Sequence, residues 1–204
     1  MSKIKTLIFD FGDVFVNLDK AATLRALKDF EISYLSEELL FNNLEYEKGL
    51  ISSKNFLSKY TSSFSEVSEH QIVTAWNSIL IDFPKYRFDF VKKLSAEKNY
   101  NLILLSNTNE IHIDWIKENV PFFEQFKTCF DAFYLSHEIN LRKPDAEIYE
   151  FVLKKHHLKP EECLFIDDTK GNTDAAEKLG IKTWNIDPKH EDIIDLFTVK
   201  KQLF

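Results

Sequence analysis

The sequence predicts an α/β fold: a parallel sheet core with a helical cap inserted after its first strand. Three observations carry that expectation. Leu7-Ile8-Phe9 is a continuous apolar run, as a strand covered on both faces requires, and it ends on Asp10-Phe11-Gly12-Asp13. The tract after Val16 shows helical rather than strand spacing. From Asn101 onward, short apolar runs alternate with helical ones, the rhythm of a parallel sheet.

Taken in order, the first strand is expected to close on Asp10, with Gly12 letting the chain leave it. In the next tract Leu24, Leu27 and Phe30 recur at helical spacing, and a second helix is expected over Glu37 to Tyr46, before Gly49. Ser52-Ser53 looks like a helix start, with Phe56, Leu57 and Tyr60 on one face. Ser68 and Gln71 form a capping box opening a helix whose stripe is Ile72, Val73, Trp76, Ile79 and Leu80. A helix from Lys85 to Leu94 leads back to the core. Strands are then expected at Leu102 to Leu105, Phe130 to Leu135, Cys163 to Ile166 and Thr183 to Ile186, with helices between them. Pro144 suits the first position of one such helix, and Gly180 the position just past another. The expected division is a core of 1–16 and 93–204 with a cap of 17–92.

Composition narrows the partners. The chain of 204 residues is 44% hydrophobic and 29% charged, an ordinary globule, and its net charge of −7 argues against nucleic acid or an anionic membrane as main partner. No apolar run approaches the length of a membrane span. Met1 to Lys5 runs directly into the first strand, so a cytoplasmic protein without a signal peptide is expected. Cys129 and Cys163 lack metal-type spacing and read as buried thiols.

Four strand ends present polar groups: Asp10, Ser106, Lys143 (after a short loop) and Asp167-Asp168. In a parallel sheet all strand C-termini open on one edge, so these groups converge. Together they describe phosphoryl transfer. Asp10 is a candidate carboxylate nucleophile, forming an aspartyl-phosphate that water hydrolyses. Asp10 and Asp168 offer hard oxygen ligands suited to Mg²⁺. Lys143, the Ser106 hydroxyl and the backbone N–H groups around Asn107 and Thr108 would hold the phosphate oxygens. Asp167 would tune its neighbour or hold Lys143, and Asn172 would stabilise the loop that aims Asp168.

Asp10-Phe11-Gly12-Asp13, Ser106-Asn107, Lys143-Pro144 and Asp167-Asp168-x-x-x-Asn172 resemble the four motifs of the haloacid dehalogenase-like hydrolase superfamily. Leu104 to Asn109 and Arg142 to Asp145 are most similar to its glucose-1-phosphatase-like branch. The resemblance implies a Rossmann-like parallel sheet core with a helical cap inserted after the first strand. It also implies Asp10 as nucleophile, Mg²⁺ on the Asp10 side chain, the Gly12 carbonyl and Asp168, and phosphate on Ser106, Asn107 and Lys143. The expected activity is hydrolysis of small phosphorylated metabolites, sugar phosphates among the candidates.

Gly12 stands where most phosphatases of that superfamily carry an acid for the leaving group, and Asp13, one residue on, is a candidate alternative acid. Without a donor at 12, esters of alcohols that stabilise negative charge should be favoured. Glu47 in the cap and His112 after Ser106-Asn107 are candidates for substrate specificity; a solvated loop charge and a helix-face residue are the alternatives. Two rival functions are a 2-haloacid dehalogenase, which needs no metal, and a catalytically weak module that binds a phosphorylated ligand.

Overall fold

The structure, a computed structural model, describes residues 3–204; Met1 and Ser2, with the leaderless start read from them, lie outside the described residues. Its centre is a five-stranded sheet of β1 (Thr6–Phe9), β4 (Asn101–Ser106), β5 (Ala132–Leu135), β6 (Cys163–Asp167) and β7 (Lys182–Asn185), in the order β5-β4-β1-β6-β7. All pairings in it are parallel. β1 is therefore the middle strand, and all four of its residues are buried. Alternation sends Leu7 and Phe9 to one face, with Leu102, Leu104, Leu164 and Ile166, and Ile8 to the other, with Ile103, Leu105 and Phe165. Both faces being covered explains why the strands read as unbroken apolar runs rather than alternating ones.

One face is covered by α5 (Lys85–Glu97), α6 (Glu110–Asn119), α7 (Phe123–Lys127) and the C-terminal α11 (Leu196–Val199). The other is covered by α9 (Ala146–Lys155) and α10 (Lys170–Lys178). A short α8 (Ser136–Ile139) follows β5. α9 begins after Asp145, so Pro144 precedes the helix rather than opening it. Lys143 must turn back into the sheet edge, which keeps the chain out of helix until Ala146. Gly180 follows α10 with φ of +83°, and Cys129 and Cys163 are free and buried, as the sequence led us to expect.

Between β1 and β4 lie α1 (Ala22–Lys28), α2 (Glu37–Glu47), α3 (Ser53–Ser63) and α4 (Glu69–Asn77). Ser36, Ser52 and Ser68 cap the last three, Ser68 through the full capping box with Gln71. These helices share their own cluster, centred on Leu39, Tyr46, Phe56, Tyr60 and Ile72.

The tract is not helical throughout. Asn17–Leu18 (β2) and Leu80–Asp82 (β3) form an antiparallel ribbon where the chain leaves and re-enters the core. Two-residue pairing is too short to show a period of two, so helical spacing hid it. α5 places Phe88, Val91 and Leu94 in the sheet's cluster, so residue 92 falls inside a helix packed on the core. Among the described residues, no helix is long and apolar enough to cross a membrane.

Candidate active site

Asp10 sits just past β1, its backbone N–H donating to the Ile166 carbonyl at 2.9 Å, so it is fixed to the sheet as an extension of the ladder. The next turn is anchored from below. Phe11 and Phe15 pack on Phe126, at ring separations of 5.5 and 4.9 Å, and buried Arg87 donates to the Phe15 carbonyl and to Asn17 Oδ1. Arg87 is held in turn by Asp192 at 3.0 Å. Leu18 lies over Gly12: a β-carbon there would come within 2.7 Å of Leu18 Cδ1. A side chain at position 12 would therefore require Leu18 to shift.

The predicted groups converge. Lys143 is fully buried, with Nζ 2.8 Å from Asp10 Oδ1 and 2.6 Å from Asp167 Oδ2. Burial is the largest influence on Asp10, lifting its pKa to about 7 against the pull of Lys143. Burial also opposes the charge on Lys143, but Asp10 and Asp167 outweigh it and keep the ammonium above the ordinary lysine range.

Asp167 is fully engaged. It accepts from Lys143, from the Thr169 backbone N–H at 2.8 Å and from Asn172 Nδ2 at 3.0 and 3.1 Å. Asn172 therefore steadies Asp167 directly, and Asp167 positions Lys143.

Asn107 plays a different part from a simple phosphate donor. Its side chain donates to the Lys143 carbonyl at 2.8 Å and accepts from the Lys143 N–H at 2.9 Å, locking the lysine loop to the end of β4. The Thr108 N–H, expected to face phosphate, donates instead to Ser136 Oγ at 2.9 Å. Buried Ser136 also reaches the cap, within 2.7 Å of the Glu47 carbonyl. Ser106 is buried and lines the cavity beside Asn107.

Oxygen atoms of Asp10, Asp167 and Asp168 lie within 4.8 Å of one another. Asp10 Oδ1 is buried against the Lys143 ammonium at 2.8 Å. The donor set is all oxygen, and one cation already stands against it: Lys20 Nζ pairs with Asp168 and lies 3.1 Å from Asp13 Oδ2. A hard divalent cation such as Mg²⁺ fits this oxygen set, and with Asp167 fully engaged, Asp10 and Asp168 are the carboxylates that would hold it.

Asp13 adopts φ of +55° and its other oxygen accepts from the Leu18 N–H at 3.0 Å, so its carboxylate builds the turn into β2. Neither Lys20 nor Arg87 was foreseen. Their partners are distant in sequence, and only the fold brings Lys20 to Asp168 and Arg87 to Asp192.

The two specificity candidates face the cap–core seam. Glu47 Oε1 pairs with Arg142 Nε at 2.8 Å, and Lys48 with Asp145 at 3.1 Å. Gly49 is required here twice over: its φ is +67°, and a β-carbon would lie 1.9 Å from the His137 carbonyl oxygen. His112 Nδ1 is 3.1 Å from Asn109 Nδ2, and its Nε2 is 3.1 Å from the Trp76 carbonyl, so α6 and α4 meet through its ring. Burial lowers the His112 pKa to about 4, and the neutral ring with its proton on Nε2 satisfies both bonds.

A family model of haloacid dehalogenase-like hydrolases matches residues 4–180. The chain is 28% identical over 195 residues to a D-ribitol-5-phosphate phosphatase of Bacteroides thetaiotaomicron, covering 89% of this chain and 91% of that one. The magnesium complex of a HAD family enzyme from the same organism superposes with a TM-score of 0.85 at 36% identity, over 96% of this chain and 99% of that one. A predicted HAD-like family hydrolase from Porphyromonas gingivalis gives 0.84 at 28% identity, over 99% and 98%. An L-2-haloacid dehalogenase of Xanthobacter autotrophicus shares the fold at 16% identity, with a TM-score of 0.55 over 88% of this chain and 76% of that one.

Proposed function

Since the chain belongs to the haloacid dehalogenase-like hydrolases, we propose that it is a Mg²⁺-dependent phosphatase cleaving small phosphorylated metabolites through an aspartyl-phosphate on Asp10. The observation that supports this reading most directly is the buried Asp10–Lys143–Asp167 chain beside Asp168. A carboxylate attacking a phosphate dianion needs positive charge at the point of attack. Lys143 supplies it from inside the sheet edge, where low dielectric strengthens it and Asp167 and Asn107 prevent it from swinging away.

Asp10 attacks phosphorus and the P–O bond to the alcohol breaks. Water then attacks the acyl-phosphate phosphorus, releasing inorganic phosphate and restoring Asp10. Ser106 and Lys143 hold the phosphoryl oxygens. Mg²⁺, held by Asp10, Asp168 and the Gly12 carbonyl, would supply charge neutralisation when bound. Gly12 donates no proton, and the Asp13 carboxylate is engaged by Leu18 and Lys20, so the alcohol departs carrying more negative charge. Lys20 would leave Asp168 as the metal enters. The protein would work as a cytoplasmic enzyme whose partner is its small substrate.

The test is hydrolysis of p-nitrophenyl phosphate. Phosphate release that disappears with EDTA, returns with Mg²⁺, and is accompanied by a trapped phosphoryl adduct on Asp10 is expected. Full-rate hydrolysis after EDTA treatment overturns the metal assignment, and halide release from 2-chloropropionate without metal would favour the dehalogenase instead.

A further inference from the structure

A cavity of about 320 Å³ runs from the phosphate site into the cap. It is continuous with that site, because Gly12, Leu18, Lys20 and Asn107 line both. Whatever alcohol is esterified to the phosphate must lie in it. Its apolar wall is made by Leu44, Trp76, Ile79 and Leu80 from the cap side, with Leu18 and Ile116 from below.

Several polar side chains around this space bond within the protein, Asn43 and Glu47 through one atom each, which leaves Asn43 Nδ2 and Glu47 Oε2 open. Thr23 Oγ1 donates to the Trp76 carbonyl at 3.4 Å, and Asn43 Oδ1 accepts from the Tyr60 hydroxyl at 2.9 Å. Asn109 and His112 are bonded to each other, His112 also to the Trp76 carbonyl, and Glu47 to Arg142. Trp76 Nε1 differs: it is buried with no hydrogen-bond partner. A sugar or polyol would bring hydroxyls against the hydrocarbon of Leu44, Trp76, Ile79 and Leu80, and a buried hydroxyl without a partner is costly. An apolar body gains from the same wall.

We propose that the substrates are phosphate monoesters of apolar or aryl alcohols, with the hydrocarbon body against Leu44, Trp76, Ile79 and Leu80. This rests on the phosphatase reading and narrows it to a substrate class.

The test compares 2-phenylethyl phosphate with D-ribitol 5-phosphate, both esters of primary alcohols, at saturating Mg²⁺, with p-nitrophenyl phosphate as reference. A kcat/KM at least tenfold higher for the phenylethyl ester is expected. Leu44, at 43% exposure, tolerates a polar residue without endangering the fold. Leu44→Asn should shrink the preference at least threefold, mainly through the KM of the phenylethyl ester; a merely structural effect would lower both esters alike. Equal or faster turnover of ribitol 5-phosphate overturns the inference, and so does p-nitrophenyl phosphate hydrolysis with neither alkyl ester cleaved. If no phosphate is released from any of the three, the phosphatase reading falls and this one with it.

Discussion

The floor and the roof of the cleft use polar groups in opposite ways. On the floor, Asp10 and Asp167 are buried at the sheet edge and linked through the Lys143 ammonium. At the roof, Thr23, Asn43, Asn109 and His112 are paired with neighbours in the cap–core seam. The floor concentrates charge out of water at a desolvation cost. The roof uses much of its polar capacity to hold the cap on the core, and Leu44, Trp76, Ile79 and Leu80 face the cavity. Chemistry belongs to the first arrangement; shape selection belongs to the second.

The comparison breaks most visibly at Asp10. Asp10→Asn preserves the side-chain volume while removing the nucleophile, so phosphate release should fall by about 10⁴-fold or more with an unchanged circular dichroism spectrum. Retention of a tenth of the activity would mean that the floor's charge is structural.

Lys143→Ala should cost stability as well as rate. Removing one member of a buried ionic cluster leaves Asp10 and Asp167 uncompensated, and such losses run at about 3–5 kcal/mol. Urea unfolding at pH 7 measures it. A loss under about 1 kcal/mol would show that the two aspartates share a proton or find water instead.

At the roof the expected effect is smaller and depends on pH. His112 has a folded pKa near 4, against about 6.5 when unfolded, so between these values the unfolded chain binds the proton and the folded protein does not. Its contribution is fully present above pH 6.5 and is lost as pH falls toward 4, by up to about 3 kcal/mol. Urea unfolding across that window should show a shallower slope for His112→Gln. Identical slopes would mean that His112 does not hold α4 to α6 as the structure describes.

Legibility follows the same division. The strands, Asp10, Ser106 and Asp167-Asp168 were readable because each acid or hydroxyl ends an apolar run, and a parallel sheet gathers such ends on one edge; Lys143 was readable from its place in Arg142-Lys143-Pro144-Asp145. Ser68 with Gln71 announced a helix start because capping is local chemistry within four residues. The ribbon Asn17–Leu18 with Leu80–Asp82 was not readable, since its pairing joins segments some sixty residues apart through two or three residues on each side.

The sequence by itself determined the sheet, the inserted helices and the list of chemical groups, because periodicity and motif spacing are properties of neighbouring residues. Tertiary structure alone decided what each group has left to offer. Asn107 turned out to be tied to the Lys143 backbone, Thr108 to Ser136, Glu47 to Arg142 and Asp13 to Leu18 and Lys20. A hydrogen-bonding group is available to a ligand only if no neighbour has claimed it, and those neighbours are distant in the chain. The same holds for the cavity: Leu18, Leu44, Trp76 and Ile116 come from four separate segments, and only their packing brings them to one wall.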